Sequence, residues 1–236
     1  MMAWPDFDYD LYENFEDGVL ESGLTETDTA GILTLSSTDQ YKIGTHSMKI
    51  DHTGITTEAY INMGSVNLAA VSFGFWYRSG SNFANSGDHH NIIRASDGAT
   101  WGRGLLEGRS NIDGHHVLFN NNSSEEYEIE DYTWYYITVK FDPANSLMSW
   151  RVYSESYELV WSSTQSTGGT GNIAIWFLGT FDGSSINSAI YYDSFIMDST
   201  DATFPLLGWE SGGGPLVGAS ALVGGGILCG QGNLIN

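Results

Sequence analysis

The stretch Val71–Arg78 (VSFGFWYR) constrains the fold more than any other part of this chain. Successive side chains of an extended strand point to opposite faces, so Val71, Phe73, Phe75 and Tyr77 share one side and Ser72, Gly74, Trp76 and Arg78 the other. One apolar and one mixed face predict a strand at a buried sheet. Similar short runs recur at Ile32–Leu35, Ser47–Asp51, Ala59–Met63, Asn91–Ala95, Gly104–Glu107, His115–Asn120, Glu126–Ile129, Trp134–Phe141, Leu147–Tyr153, Leu159–Trp161, Ile173–Leu178 and Ala189–Met197. Amphipathic helical periodicity is hard to find. Asp97-Gly98, Asp113-Gly114, Asp142-Pro143-Ala144-Asn145 and Asp182-Gly183 supply turns between the runs. Ser162–Asn172, made of small and polar residues, reads as a loop. About thirteen strands in roughly 200 residues is the spacing of an all-β, two-sheet antiparallel sandwich.

Composition agrees with that class and narrows the partners. Of 236 residues, 41% are hydrophobic and 14% aromatic, enough for one large core, and 29 are glycine. Lys and Arg total 8 against 29 Asp and Glu, a net charge of -21. Such a balance argues against nucleic acid as a partner, whose phosphates must be neutralised by cations, and against anionic membranes. No apolar run approaches the roughly 20 residues that span a bilayer. The acidic N-terminal stretch lacks the basic and apolar regions of a signal peptide. Cys229 is the lone cysteine and cannot form an intrachain disulfide.

The last 22 residues differ from everything before them. Aligned by six they read PLVGAS, ALVGGG, ILCGQG, NLIN, with leucine at Leu216, Leu222, Leu228 and Leu234. Val217, Val223, Cys229 and Ile235 follow those leucines, and Ile227 precedes one of them. Hexapeptide periods belong to wound β-strands, which need about three stacked neighbours for stability. One chain offers little more than one turn. The expectation is therefore an oligomerisation tail at 215–236, in which Leu216, Val217, Leu222, Val223, Ile227, Leu228, Leu234 and Ile235 are buried against other chains, most simply in a homotrimer. A linker at 204–214, marked by Pro205 and Gly212-Gly213-Gly214, would join it to a sandwich at 1–203.

Several segments, in order, resemble jelly-roll carbohydrate-binding modules and laminin-G or concanavalin-like sandwiches. They are Asn14–Gly18 (NFEDG), Gly44–Asp51 (GTHSMKID), Val71–Arg78, Tyr132–Asp142 (YTWYYITVKFD) and Tyr191–Met197 (YYDSFIM). The resemblance implies a jelly roll whose first strand contains Asn14–Gly18. It also implies a structural calcium where first and last strands meet, with Glu16 and Asp193 as carboxylate ligands; Ser194 stands where such modules often have a second acid. Exposed tryptophans would grip sugar, and Trp76, Trp101 and Trp150 are the candidates.

Catalytic patterns are weak. Glu126, Glu128 and Glu130 share one face of a strand but lack the spacing of sandwich glucanases, and a solvated acidic edge explains them. His89-His90 and His115-His116 could each send one imidazole to a shared metal across a hairpin. No nucleophile signature, P-loop or dinucleotide fingerprint is present. An acidic sandwich with an apolar assembly tail resembles appendage proteins of tailed-bacteriophage virions. That likeness implies a structural virion protein that decorates or cements a capsid or belongs to a tail. Its partners would be further copies of itself, a major capsid or tail protein, and surface glycans. The alternatives are a carbohydrate-binding module of a secreted or phage protein and, more remotely, a glycoside hydrolase.

Overall fold

A computed structural model describes residues 11–68, 71–80, 89–96, 101–110, 116–120, 126–142, 145–166, 173–181 and 187–198. The chain divides after Pro205, and every described residue belongs to the unit Met1–Pro205. Leu216 to Ile235, and with them the expected assembly contacts, lie outside the described residues.

The described residues form a two-sheet antiparallel sandwich without helices. One sheet is built from β1 (Leu11–Glu13), β3 (Leu33–Ser37), β4 (Ser47–Asp51), β6 (Val71–Ser79), β11 (Trp134–Asp142), β12 (Leu147–Tyr153), β13 (Leu159–Ser166) and β15 (Ala189–Asp198). Its order is β13-β12-β11-β6-β15-β4-β3, with β1 also pairing β15. The other sheet is built from β2 (Thr25–Asp28), β5 (Ala59–Leu68), β7 (His89–Ser96), β8 (Trp101–Ser110), β9 (His116–Asn120), β10 (Glu126–Glu128) and β14 (Ile173–Thr180). Its order is β10-β9-β8-β7-β14-β5-β2.

The alternation in β6 does what the sequence requires of it. Phe73, Phe75 and Tyr77 enter the core between the sheets, while Trp76 and Arg78 stand on the opposite, outer face. Phe73 meets Trp176 of β14 edge-on, with centroids 4.2 Å apart, so this pair ties one sheet to the other. Ile137 and Val139 of β11, Ile93 of β7 and Leu106 of β8 fill the space around it. Each such large side chain, taken fully out of water, contributes roughly 1.5–3 kcal/mol.

Two departures from the sequence reading have local causes. Asn14–Gly18 is not a strand: β1 ends at Glu13, and Phe15, fully buried, adopts φ 59°. Glu13 explains this bend, because its Oε1 accepts the Phe15 amide at 2.7 Å and its Oε2 the Glu21 amide at 2.9 Å. β13 also runs on to Ser166, through residues read as loop. Small polar residues suffice there because β12 supplies the ladder, including a 3.3 Å contact between the Ser149 and Thr164 hydroxyls.

Candidate functional site

The outer face of the seven-stranded sheet gathers aromatic, guanidinium and amide groups. In β14, Trp176 and Leu178 point inward, so Phe177 points out. It pairs with Arg94 of β7 on one side and Asn62 of β5 on the other; Asn62 in turn pairs with Thr25 of β2. Tyr60, on the same face of β5, meets Phe177 edge-on at 4.9 Å. Phe181, just past β14, lies 4.6 Å from Phe177 and 5.3 Å from Tyr60. The Arg94 guanidinium sits over the Phe181 ring at 4.9 Å. Tyr60 and Phe177 are largely buried within this cluster, while Arg94, Asn62 and Phe181 remain half-exposed.

A second row crosses the same face towards the other sheet edge. Asn91 of β7 pairs with Glu107 of β8, Glu107 with Phe119 of β9, and Phe119 with Glu126 of β10. Arg109 stacks over Phe119, 3.5 Å from the ring centroid, and forms an ion pair with Glu126. Asn91 is buried and its side-chain oxygen has no donor among the described residues. The face therefore combines flat rings, planar guanidinium groups and hydrogen-bonding amides. These are the groups that stack on the apolar side of a pyranose and bond to its hydroxyls. Glu126, one of the alternating acids, is occupied by Arg109 at a sheet edge.

Sequence reasoning missed this cluster. The alternation of Ile173–Phe181 places Phe177 and Phe181 on one face, but both faces of that run are apolar, so nothing in it marks which one looks outward. The tryptophans that sequence reasoning chose stand elsewhere. Trp150 is 1% exposed and belongs to the core between Met148 and Val152. Trp76 is on the outer face of the eight-stranded sheet yet 0% exposed, covered by Tyr136 at 5.2 Å, Tyr157 at 5.5 Å and the Lys42 ammonium at 4.7 Å. Neither offers a ring to solvent, which corrects their reading as stacking residues: a wide two-sheet core and its neighbours absorb large rings. Trp101 lies in β8 opposite Ser96, and its side chain is outside the described residues.

The two acids expected at the strand junction do come to one place. β15 pairs with β4 through Tyr192 and with β1 from Phe195, and Asp193-Ser194 is the bend between, with Ser194 at φ 50°. Asp193 Oδ2 accepts the amides of Lys42 and Ile43, both at 2.8 Å. Glu16 Oε1 accepts the amides of Thr45 and His46 at 2.9 and 3.0 Å, and its Oε2 the Thr45 hydroxyl at 2.8 Å. Burial pushes the Asp193 carboxyl up to about 7, with the two amides and Ser194 pulling the other way. Amide hydrogen bonds outweigh partial burial at Glu16 and hold it below the usual carboxylate range. Calcium takes six to eight oxygen ligands. Here the carboxylate oxygens face N–H and O–H donors, and among the described residues no group of three or more His, Cys, Asp or Glu forms a metal cluster. The donor set present suits hydrogen bonding and does not fit a calcium cage.

The histidine pairs are likewise kept apart. His90 is buried against the core, its Nε2 2.7 Å from the Tyr77 hydroxyl, while His89 is exposed. β8 separates β7 from β9, so His89-His90 and His116 do not face each other across a hairpin. His115 lies outside the described residues.

No protein-family model matches the sequence, and no curated protein sequence matches it. The structure is similar to the cellulose induced protein Cip1, with a TM-score of 0.56 and 11% identity over 81% of this chain and 98% of that one. It is similar to a Bauhinia forficata lectin in complex with GalNAc, with a TM-score of 0.51 and 10% identity over 82% and 99%. It also resembles the CBM2 module of the evolved Dit of Lactobacillus casei BL23 phage J-1, with a TM-score of 0.50 and 13% identity over 81% and 96%. These likenesses establish the fold as a lectin-like, carbohydrate-binding-module-like jelly-roll sandwich.

Proposed function

We propose that this chain is a non-catalytic glycan-binding protein of a virion, which takes saccharide across the outer face of its seven-stranded sheet. The observation that carries this reading is the Arg94–Phe181–Phe177–Tyr60 cluster, with Asn62 beside it. It presents the half-exposed Phe181 ring, held by the buried rings of Phe177 and Tyr60 and fringed by half-exposed Arg94 and Asn62, on a sheet face where rigid strands fix their spacing. Two similar structures, a lectin in complex with GalNAc and the CBM2 module of a phage Dit, support the same class of ligand. The acidic composition and the hexapeptide tail support the virion setting, in which further copies of this chain and a capsid or tail protein would be the partners. Glycan binding in an extracellular protein is the alternative setting for the same site. At the strand junction Asp193 and Glu16 accept amide hydrogen bonds.

A glycan array read with wild type and with Arg94→Ala and Phe181→Ala tests the site. Selective binding, weakened in both variants with folding intact, is the expected result. No binding of wild type to any glycan would sink it. Virion membership is tested separately, by finding the protein at fixed stoichiometry in purified particles.

A further inference from the structure

The opposite side of the sandwich carries a ring built in a different way. Tyr132, between β10 and β11, is 57% exposed although its backbone is firmly held. Its amide donates to the Ser79 carbonyl at 2.8 Å, and its own carbonyl accepts Arg78 Nε at 2.9 Å. The Arg78 guanidinium then lies between two rings, 5.4 Å from Tyr132 and 5.6 Å from Tyr191. Arg78 is itself buried, so Tyr132 is backed by a fixed cation and not by water. Tyr132 also holds φ 61°, a left-handed conformation that side chains other than glycine adopt at a cost. A glycine would satisfy the turn with less strain, yet a large aromatic side chain stands there, facing solvent.

The surroundings complete a site. Trp76 is two residues from Arg78 on the same face of β6, about 7 Å along the strand. Its indole N–H is buried without an acceptor among the described residues, beneath Lys42 and Tyr157. Tyr157 also has a left-handed backbone, at φ 63°. Glu155 joins the two loops, accepting the Trp134 amide at 3.2 Å and pairing with Lys42 at 3.4 Å. The exposed Tyr132 ring, on a backbone held by hydrogen bonds, with the half-exposed Tyr157 ring and carboxylate and ammonium groups on the same side, suits a flat ligand with one apolar side and a rim of hydroxyls.

We infer that Tyr132, backed by Arg78 and Tyr191 and flanked by Glu155 and Lys42, is a second saccharide platform, on the outer face of the eight-stranded sheet. It shares its ligand class with the glycan-binding reading above, but uses none of the same residues. Two platforms on opposite faces would let one chain bridge two glycan strands or engage a surface with avidity.

The test uses the full chain with xylan, β-glucan, galactan and polygalacturonate, by affinity electrophoresis, and with their oligosaccharides by native mass spectrometry. Tyr132→Gly is the informative variant, because glycine fits φ 61° and should leave the unfolding midpoint unchanged or raised. Wild type is expected to carry two oligosaccharides at saturation, and Tyr132→Gly and Arg94→Ala one each. Retention by Tyr132→Gly should fall about tenfold or more. Binding by Tyr132→Gly equal to wild type, with binding abolished by Arg94→Ala, would overturn this inference and leave the seven-stranded face standing. The reverse pattern would support Tyr132 and remove the seven-stranded face. Failure of wild type to bind any of the four would overturn both.

Discussion

Asp193 and Glu16 grip opposite ends of one short stretch of chain, Asp193 through the amides of Lys42 and Ile43 and Glu16 through those of Thr45 and His46. The segment between β3 and β4 is thereby tied to the turn after β1 and to β15 by hydrogen bonds. Asp193 is fully buried, whereas the Glu16 carboxylate is partly in reach of water. Asp193→Ala should therefore cost about 2–4 kcal/mol, since it leaves two partly buried amides unmet, and Glu16→Ala about 1 kcal/mol. Urea unfolding measures both. Millimolar calcium should leave the midpoint of wild type where EDTA leaves it; a calcium-dependent rise that Glu16→Gln removes would show that a cation completes the junction.

Two buried groups give stability opposite dependences on pH. His52 is buried, with Nε2 3.0 Å from the Thr180 hydroxyl, and burial holds its pKa below the ordinary 6.5. Below that pH the unfolded chain takes up a proton that the folded chain refuses, so this contribution is present above 6.5 and lost as pH falls. Asp193 is raised from 3.8 to about 7. Between those values the folded chain holds a proton that the unfolded chain lacks, so its contribution is full below 3.8 and lost as pH rises through about 7. Chemical denaturation from pH 4 to 8 should show His52→Gln gaining stability relative to wild type as pH falls from 6.5. Asp193→Asn should instead lose its relative advantage as pH falls from 7. Parallel curves for all three proteins would remove both groups from the balance.

The sandwich was legible because β6, β11 and β15 carry their apolar residues in phase, and the core is assembled from those phases. β1 and β2 were not: Leu11–Glu13 and Thr25–Asp28 are short, and three of these seven side chains are acidic. They become strands because β15 and β5 offer them ladders, which is tertiary information. The binding face was hidden for a related reason. A run apolar on both faces, such as Ile173–Phe181, states that it is buried but not which rings look outward. Tryptophans were a misleading guide, since a ring large enough to grip sugar is also large enough to fill the core, as Trp150 does.

Gly179 links the core to the proposed binding face. It has φ 115°, and a Cβ there would stand 2.8 Å from the Ala59 carbonyl oxygen and 2.9 Å from Ile50 Cδ1. Both are fixed, one by the β5–β14 ladder and one by the core. Gly179→Ala combines backbone strain with overpacking and should cost about 2–4 kcal/mol. The displaced strand carries Phe177 and leads to Phe181, so glycan affinity should fall alongside the unfolding midpoint. A variant with wild-type midpoint and wild-type affinity would contradict this close packing.

The C-terminal repeat makes the strongest demand on partners. Leu216, Leu222, Leu228 and Leu234 recur every six residues in a stretch without a charged side chain. A wound strand of this length completes little more than one turn, and stacked repeats need about three neighbours to bury their apolar side chains. Three chains winding together satisfy that requirement. Native mass spectrometry of the full chain should then give a trimer, while a chain ending at Glu210 gives a monomer. Among the described residues the core lies within residues 11–198, and the shortened monomer should keep its unfolding midpoint. Leu222→Ser with Leu228→Ser in the full chain should break the trimer as truncation does, since one hydroxyl per turn cannot replace the buried leucine surface. If the full chain is itself monomeric, the repeat does not join copies of this protein.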